Sequence, residues 1–461
     1  MFLGAAGVQE RRDALTELSR PGGVLDANDP LEVGPTRLIT EPELSPDNLD
    51  NPTLSAGNAF VGQFLDHDIT RDAGSRLGRP VSLQRSTNLR TATFDLDSVY
   101  GGGPGESPDL YDDDLRFIVE SGGLFEDVPR HGDGQPIIAD PRNDENLIIS
   151  GMQAGFLLFH NAVMARVEAS GLRDDAAFDE AQQIVRWHYQ WMILNDYLPG
   201  IVCHALVDDI RANGRRFYNP TRAIIPVEFQ TSAYRFGHSQ VRPSYRANLA
   251  ADEGEPFFAL VFDPATFGQD DPDDLTGGHR AQRRFIGWQT FFDFGDGEVK
   301  NNKSINPRIS SPLFRLPMST LPVDRGGNIG PTSLATRNLL RHLTWEIATG
   351  QQIADQMGAD RLTAADISIY GDFGANLDTA TPLWLYLLRE AELIAGGETL
   401  GPIGGRIVAE VFIGLLEMDP SSYVSAQPGW TPTLPNRNGA ENFGMADILT
   451  IARVDPASRG Q

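Results

Sequence analysis

The sequence predicts a mainly α-helical fold with few and short strands. Apolar residues recur at helical spacing in several long segments, whereas strand character appears only in brief stretches. No Pro/Gly/Ser-rich linker, internal repeat or low-complexity tract divides the 461 residues. We therefore expect a single large helical domain over residues 1–461, with a core at about residues 20–455.

The predicted elements follow from this periodicity in chain order. Helices are expected over residues 59–70, 148–163, 184–197, 336–345, 382–394 and 406–417. The helix over 184–197 is expected to end before Pro199-Gly200, because this pair is a helix-stop signal. Strands are expected at 223–227 and 258–261, and residues 263–280 are expected to form a long irregular connection.

Charge and hydropathy argue against two classes of partner. The formal net charge is −25, and nucleic acid is therefore not expected as a partner, since phosphate binding needs a basic surface. The sequence contains no run of about 18 apolar residues, so we expect no membrane insertion.

Residues 63–68, Gln-Phe-Leu-Asp-His-Asp, place several polar groups in an apolar segment that is predicted to be helical. Gln63 and His67 are four residues apart and share one helix face, whereas Asp66 and Asp68 point to other sides. One turn of helix can therefore serve two sites, with Asp66 at the edge of the first and Asp68 facing away from it. The alternative is a solvated helix face with a capping aspartate.

Three further segments follow along the chain. They are Arg-Asn-Asp-Glu-Asn at 142–146, Tyr-Arg-Phe-Gly-His-Ser at 234–239 and Arg-Asn-Leu-Leu-Arg at 337–341. Together with residues 63–68, they resemble in order the distal-histidine, distal-arginine, proximal-histidine and haem-propionate segments of the animal-type haem peroxidases. This is the peroxidase–cyclooxygenase superfamily, which includes myeloperoxidase, lactoperoxidase and peroxinectin. The resemblance implies a mainly helical domain with haem between a distal helix and a proximal-histidine helix.

On the distal side, the resemblance implies three catalytic residues. His67, if neutral, takes a proton from hydrogen peroxide and returns it, which suits an imidazole near neutral pH. Arg142 stays cationic and stabilises the charge that develops as the O–O bond lengthens. Gln63 holds a water or halide above the iron. If either stood alone, His67 would be read as a satisfied core histidine, and Arg142 as a surface ion pair with Asp140 or Asp144.

On the proximal side, the resemblance makes His238 the ligand of the haem iron. Asn338 accepts the other ring hydrogen of His238 through its side-chain carbonyl. Arg235 and Arg341 bind the haem propionates as guanidinium–carboxylate pairs. The alternative for both arginines is solvation at the surface.

The resemblance also predicts how haem b is attached. Asp66 and Glu145 match carboxylates that form ester bonds to haem methyl groups in this family. Asn146 stands where myeloperoxidase has the methionine of a third, sulfonium link, so that link is expected to be absent. Its absence puts efficient chloride oxidation in doubt, whereas bromide, iodide, thiocyanate and phenols remain compatible donors.

A second site is predicted to bind calcium. Thr91, Thr93, Asp95 and Asp97 alternate along an extended loop, so their side chains fall on one side. Hard oxygens at such spacing suit Ca²⁺. The calcium loop of the family has this spacing, with the position of Thr93 contributing its backbone carbonyl, and Asp68 completes the site. The alternative for the loop alone is an acidic solvated turn.

The resemblance implies a haem-dependent peroxidase that reduces hydrogen peroxide and oxidises halides, thiocyanate or small aromatic donors. One alternative is a fatty-acid dioxygenase or cyclooxygenase-like enzyme. The radical tyrosine of those enzymes lies three residues before the proximal histidine, where this chain has Arg235, with Tyr234 one residue further away. A catalytically inactive, calcium-stabilised binding module is the other alternative, and the presence of His67, Arg142 and His238 argues against it.

Cysteine use and the start of the chain bear on location. Cys203 is the only cysteine, which excludes an intrachain disulfide, and its apolar neighbours predict a buried structural thiol rather than a reactive pair with His204. The mammalian relatives, by contrast, are implied to be secreted and disulfide-bonded. The first residues show no signal-like apolar core. We therefore expect a bacterial protein that is cytoplasmic or exported by a non-classical route.

Overall fold

The computed structural model of the protein describes residues 5–72, 75–81, 88–251, 254–321, 323, 327 and 329–461. Residues 1–4, on which the expectation about the start of the chain partly rests, lie outside these ranges. Within them the chain is mainly helical with short strands, and this confirms the predicted fold class.

The α-helices are numbered in chain order. They are α1 (Ala5–Leu18), α2 (Pro35–Thr40), α3 (Gly57–Ile69), α4 (Asp97–Tyr100), α5 (Gly103–Glu106), α6 (Leu147–Ala169), α7 (Asp174–Met192), α8 (Leu198–Val202), α9 (His204–Asn213), α10 (Val227–Thr231), α11 (Leu334–Thr344), α12 (Gly350–Met357), α13 (Ala364–Ile367), α14 (Leu383–Ile394), α15 (Pro402–Met418), α16 (Tyr423–Ala426), α17 (Met445–Ile451) and α18 (Pro456–Arg459). The helices predicted at 148–163, 336–345, 382–394 and 406–417 are confirmed as α6, α11, α14 and α15.

The strands form three two-stranded antiparallel sheets. They are β1 (Asp50–Ser55) with β6 (Asn301–Lys303), β2 (Glu120–Ser121) with β3 (Glu126–Asp127), and β4 (Ser244–Asn248) with β5 (Phe257–Leu260). The strand predicted at 258–261 is confirmed as β5. The strand predicted at 223–227 is wrong, because residues 223–226 have no regular structure and α10 begins directly after Pro226. A proline at this point removes a ladder hydrogen bond but fits the start of a helix.

α3 carries residues 63–68 and packs against α6. The rings of Phe64 and Phe156 stack with 4.7 Å between their centroids, and burial of each contributes roughly 1.5–3 kcal/mol. Gly57 lets the start of α3 approach Phe292, since a Cβ there would lie 2.3 Å from the ring. These contacts fix the position of the helix that presents the candidate site.

The second predicted helix continues past Pro199, contrary to expectation. α7 runs into a π-helical segment at Ile193–Tyr197, and α8 follows directly with Pro199 in its first turn. The π-helical segment changes the hydrogen-bond pattern just before the proline, so its missing N–H and its ring are accommodated. The helical path therefore ends at Val202 rather than before Pro199.

Cys203 is exposed, so the prediction of a buried thiol is wrong. The residue links α8 to α9 in a left-handed conformation with φ of 75°. The chain turns at this point, so the apolar neighbours Ile201 and Val202 enter the core while Cys203 faces outward. Sequence context alone did not reveal the turn.

α6 is a long helix of 23 residues, most of them buried. It is long and apolar enough to cross a membrane, but 83% of its most apolar window is buried inside the protein. The buried apolar cluster to which it contributes extends along the chain from Ala14 to Val454. The single-domain organisation, with a core at about residues 20–455, stays a prediction.

Candidate active site

Four separated parts of the chain line one cavity of about 820 Å³. α3 contributes Gln63, Asp66 and His67, and the 3-10 turn Pro141–Asp144 contributes Arg142. A second 3-10 helix, Ala233–Gln240, contributes His238, and α11 contributes Arg341. The fold thus brings the four motifs of the sequence to one site.

Gln63 and His67 share the cavity-facing side of α3, as their spacing predicts. Gln63 Nε2 donates to Glu145 Oε2 at 3.2 Å, and Asn146 Nδ2 donates to Gln63 Oε1 at 3.3 Å. Burial raises the pKa of Glu145 to about 7, even though Arg142 opposes the shift. The amide of Gln63 is therefore held by Glu145 and Asn146.

His67 is 4% exposed, and its neutral form is strongly favoured. Burial, followed by the positive charge of Arg142, lowers the pKa of His67 to about 4, although Asp140, Asp66 and Asn143 act in the opposite direction. The imidazole is thus neutral at pH 7, which is the form that accepts a proton. Asn143 Oδ1 lies 2.8 Å from His67 Nδ1 and accepts its hydrogen when that nitrogen is protonated.

Arg142 forms the ion pair with Asp140 that its sequence neighbours suggest, but the pair lies at the cavity rather than on the surface. Arg142 Nη2 lies 2.7 Å from Asp140 Oδ2 and donates to the backbone carbonyl of His67 at 2.9 Å. Burial would raise the pKa of Asp140, but hydrogen bonds from Arg142 outweigh it and hold that pKa well below its usual range. Breaking a buried pair of this kind typically costs about 3–5 kcal/mol.

His238 lies in the 3-10 helix Ala233–Gln240 and contacts Asn338 of α11. Asn338 Nδ2 lies 2.8 Å from His238 Nδ1, while the buried Asn338 Oδ1 has no hydrogen-bond partner among the described residues. The two ends of an amide have nearly the same shape, so a half turn lets Oδ1 accept the Nδ1 hydrogen. That arrangement leaves His238 Nε2 free to bind a metal. Gly237 lines the same cavity, and a Cβ there would meet no atom within 4 Å.

Three arginines gather beside His238 without acidic ion-pair partners among the described residues. Arg235, Arg337 and Arg341 line the cavity, and none of the ion pairs among the described residues includes them. Burial, followed by the charges of Arg235 and Arg337, lowers the pKa of Arg341, and burial with Arg235 lowers that of Arg337 to about 10. Arg337 was missed by sequence reasoning, although its spacing of four residues from Arg341 on one helix face would have suggested it.

The residues of the cavity fit haem. The imidazole of His238 suits iron ligation, because Asn338 can accept the hydrogen of Nδ1 while Nε2 is free. The cluster of buried guanidinium groups suits two propionates. Arg235 Nε is a buried donor without a partner among the described residues, as expected of a group that awaits an anion. Cations and donors of this kind are costly to bury unless a carboxylate neutralises them.

The predicted calcium ligands also lie together. One carboxylate oxygen each of Asp68, Asp95 and Asp97 lies within 4.8 Å of the other two. Thr91 and Thr93 donate from Oγ1 to Asp95 Oδ2 at 2.8 and 2.7 Å. Such a set of hard oxygens fits a divalent cation.

Asp68 reaches this cluster from the side of α3 that faces away from the cavity. It is fully buried and accepts from the backbone N–H of Leu96 at 3.2 Å and from the hydroxyl of Tyr189 at 3.1 Å. Burial, followed by Asp95 and Asp97, raises the pKa of Asp68 above its usual range. Neighbouring carboxylates that disfavour one another's charge are stabilised by a bound cation.

Arg90 joins the two sites, which sequence reasoning did not anticipate. Its Nη1 lies 3.3 Å from Asp97 Oδ1, and its Nε donates to Asp140 Oδ2 at 3.1 Å. Asp140 in turn holds Arg142. A series of charged contacts therefore runs from the carboxylate cluster to Arg142.

Comparison with known sequences also indicates an animal haem peroxidase domain. Residues 73–283 match the family model for animal haem peroxidase. The probable oxidoreductase PXDNL of Homo sapiens is 27% identical over 225 residues, which are 41% of this chain and 15% of that protein. The peroxidasin homolog pxn-2 of Caenorhabditis elegans is 27% identical over 183 residues, which are 35% of this chain and 14% of that protein. The matched regions thus span a small part of the length of these relatives.

Solved structures share the fold. Peroxidase A from Dictyostelium discoideum aligns with a TM-score of 0.55 at 17% identity, covering 87% of this chain and 85% of that chain. A structure of Oryza sativa fatty acid alpha-dioxygenase with palmitic acid aligns with a TM-score of 0.60 at 14% identity, covering 92% of this chain and 80% of that chain. Residues 73–283 thus match an animal haem peroxidase domain in sequence, and the chain shares its fold with these structures.

Proposed function

We propose that this protein is a haem-dependent peroxidase that reduces hydrogen peroxide and oxidises halides, thiocyanate or small aromatic donors. The observation that carries the proposal is the placement of His67 and His238 on one cavity, with Arg142 beside His67. In the proposed arrangement His238 binds the haem iron, and Arg235 and Arg341 bind the propionates. Arg337 strengthens the same cationic region.

Haem, when bound, supplies the iron at which the O–O bond of peroxide is split. His67 Nε2 takes the proton from one peroxide oxygen and gives it to the other, which leaves as water. Arg142 stabilises the negative charge on the departing oxygen. Because its Nε and Nη2 hydrogen-bond to Asp140 and the His67 carbonyl, we assign the contact with peroxide to Nη1. Gln63 holds a water or halide beside His67.

The proposed ester links to haem use Asp66 and Glu145. Both line the cavity, and Glu145 is held by Gln63. Asn146 lacks the sulfur of a sulfonium link and instead caps α6, accepting from the backbone N–H of Ile149 at 3.0 Å. We therefore propose at most two covalent links and weak oxidation of chloride compared with bromide, iodide or thiocyanate.

The test is reconstitution of the protein with haem, followed by reaction with hydrogen peroxide and a phenol. A Soret band of one haem per chain and peroxide-dependent phenol oxidation are expected. Denatured protein that has reacted with peroxide should retain haem on esters of Asp66 or Glu145, as seen by mass spectrometry of its peptides. A haem complex that leaves peroxide and every donor unchanged would contradict the proposal.

A fatty-acid dioxygenase is the second candidate, because Tyr234 lines the cavity. Tyr234 is 5% exposed, and its hydroxyl donates to the hydroxyl of Tyr197 at 3.3 Å. Arg235 occupies the position where such enzymes carry the radical tyrosine. Incubation of the haem protein with palmitic acid and dioxygen separates the two candidates. Oxygenated fatty acid that disappears in Tyr234→Phe would favour the dioxygenase.

Calcium is the second proposed cofactor, held by Asp68, Asp95, Asp97 and Thr91, with the backbone carbonyl of Thr93. We expect Asp95→Ala to lower metal content and to slow the peroxide reaction, because α3 and Arg90 connect this site to the distal residues. Elemental analysis and stopped-flow absorbance of the same preparation measure the two effects.

The matched control for that variant is Asp113→Ala, which removes an exposed carboxylate outside both sites. It should change neither quantity. Active parent protein that contains no calcium would refute the proposed site.

A further inference from the structure

His67 ends a short chain of buried amide groups that leads away from the cavity. Asn143 lies between His67 and Gln153, and both amide residues are fully buried. Asn143 Oδ1 lies 2.8 Å from His67 Nδ1, and Asn143 Nδ2 donates to Gln153 Oε1 at 2.8 Å. Gln153 belongs to α6, whereas Asn143 belongs to the turn that carries Arg142.

The orientation of the Asn143 amide decides which nitrogen of His67 carries the proton. With the carbonyl of Asn143 towards the ring, Nδ1 must be protonated to donate, and Nε2 keeps its lone pair. With the amide nitrogen towards the ring, Nδ1 must accept, and Nε2 carries the hydrogen. Only the first state lets Nε2 take a proton from a ligand in the cavity.

The charge of Arg142 favours the first state. In that state Asn143 Nδ2 donates to Gln153 Oε1 at 2.8 Å, and Gln153 Nε2 is buried without a hydrogen-bond partner among the described residues. Arg142 lines the cavity that Nε2 faces, and its positive charge favours a lone pair there over an N–H group. The backbone N–H of Asn143 donates to Asp140 at 2.9 Å, so the turn that carries the amide is itself fixed.

We propose that Asn143 is the positioning residue that keeps the proton of His67 on Nδ1 and leaves Nε2 free to accept a proton from peroxide. The peroxide step rests on the proposed function, whereas the tautomer of His67 does not. The charged groups that act on His67 are Arg142, Asp140 and Asp66. Asn143 adds to them a neutral hydrogen-bond acceptor at the opposite nitrogen.

The first test replaces Asn143 by leucine, which has a similar size but no acceptor. The rate at which peroxide changes the Soret spectrum should fall by about 10- to 100-fold, the range typical of removing the partner of a metal-binding histidine. Haem content should stay at the parent value. Asn161→Leu is the matched control, because Asn161 also uses its side chain in partly buried hydrogen bonds, to the backbone of Phe117.

The second variant, Asn143→Asp, keeps an acceptor at Nδ1 but adds a negative charge. It should retain a rate near that of the parent at neutral pH, and the acid limb of its pH profile should move to higher pH. The carboxylate favours protonated His67, so the base is lost at a higher pH as the solution is acidified. A residue with only a structural role would not produce this shift.

Nitrogen-15 NMR of labelled histidine gives a readout that does not depend on turnover. In the diamagnetic ferrous carbon monoxide complex, the parent should show His67 protonated at Nδ1, and Asn143→Leu should lose that preference. Parent protein protonated at Nε2, or Asn143→Leu with unchanged tautomer and rate, would overturn the proposal. Parent protein that binds haem but does not react with peroxide would overturn the proposed function instead. The tautomer seen by NMR would still decide the role of Asn143.

Discussion

Replacing His67 by alanine is expected to slow the reaction with hydrogen peroxide by about 10²- to 10⁴-fold, the usual contribution of a general acid–base group. The histidine is 4% exposed, lies on the cavity and is neutral at pH 7, because burial and Arg142 lower its pKa to about 4. Haem should remain bound, since the proposed iron ligand is His238. Stopped-flow absorbance at the Soret band measures the rate.

The pH dependence of the parent follows from the same pKa. Because its pKa is lowered to about 4, His67 stays unprotonated when the pH is lowered from 7 towards that value. The rate should therefore be constant below pH 7 and fall only as the pH approaches about 4. His204→Ala, which removes an exposed histidine, should leave both rate and profile unchanged. Rates of His67→Ala within a few-fold of the parent would refute the role of His67 as the base.

Replacing His238 by alanine should abolish stable haem binding. The imidazole of His238 lines the cavity together with Arg235 and Arg341. Asn338 Nδ2 lies 2.8 Å from its Nδ1. Without this ligand, and before any ester bond to Asp66 or Glu145 has formed, the propionate contacts alone must hold the haem. Titration with haem, followed at the Soret band, measures the loss, and circular dichroism checks that the helices persist.

His238→Gly separates loss of the ligand from loss of the fold. The glycine leaves space for free imidazole, which should restore a Soret band when it is added with haem. Unchanged haem stoichiometry and an unaltered ferric spectrum in His238→Ala would show that another residue binds the iron.

Much of the fold could be predicted because helical periodicity is a local property. In α6, α11, α14 and α15, apolar residues recur three or four positions apart, and this spacing predicts a helix. The prediction that the helix ends before Pro199 was wrong, because the structure around a proline can override this local signal. A proline signal is also local, but here the π-helical segment before it accommodates the ring and the helix continues.

Exposure was harder to predict than helicity. Cys203 has apolar neighbours on both sides, yet it faces outward because the chain changes direction between α8 and α9. Neighbours in sequence report the local composition, whereas burial depends on the path of the backbone. The same limit applies to Arg337, whose place on the cavity depends on how α11 packs beside the helix of His238.

The sequence by itself determined which groups carry the proposed chemistry. The spacing of Gln63 and His67 on one face, with Asp68 on another, follows from helix geometry, and four ordered motifs indicated the family. Only the tertiary structure decided how these groups are held. Asn143 meets His67 and Arg90 meets Asp140 across 76 and 50 positions of the chain, respectively. Such contacts depend on the packing of separate elements, so no local pattern of residues encodes them.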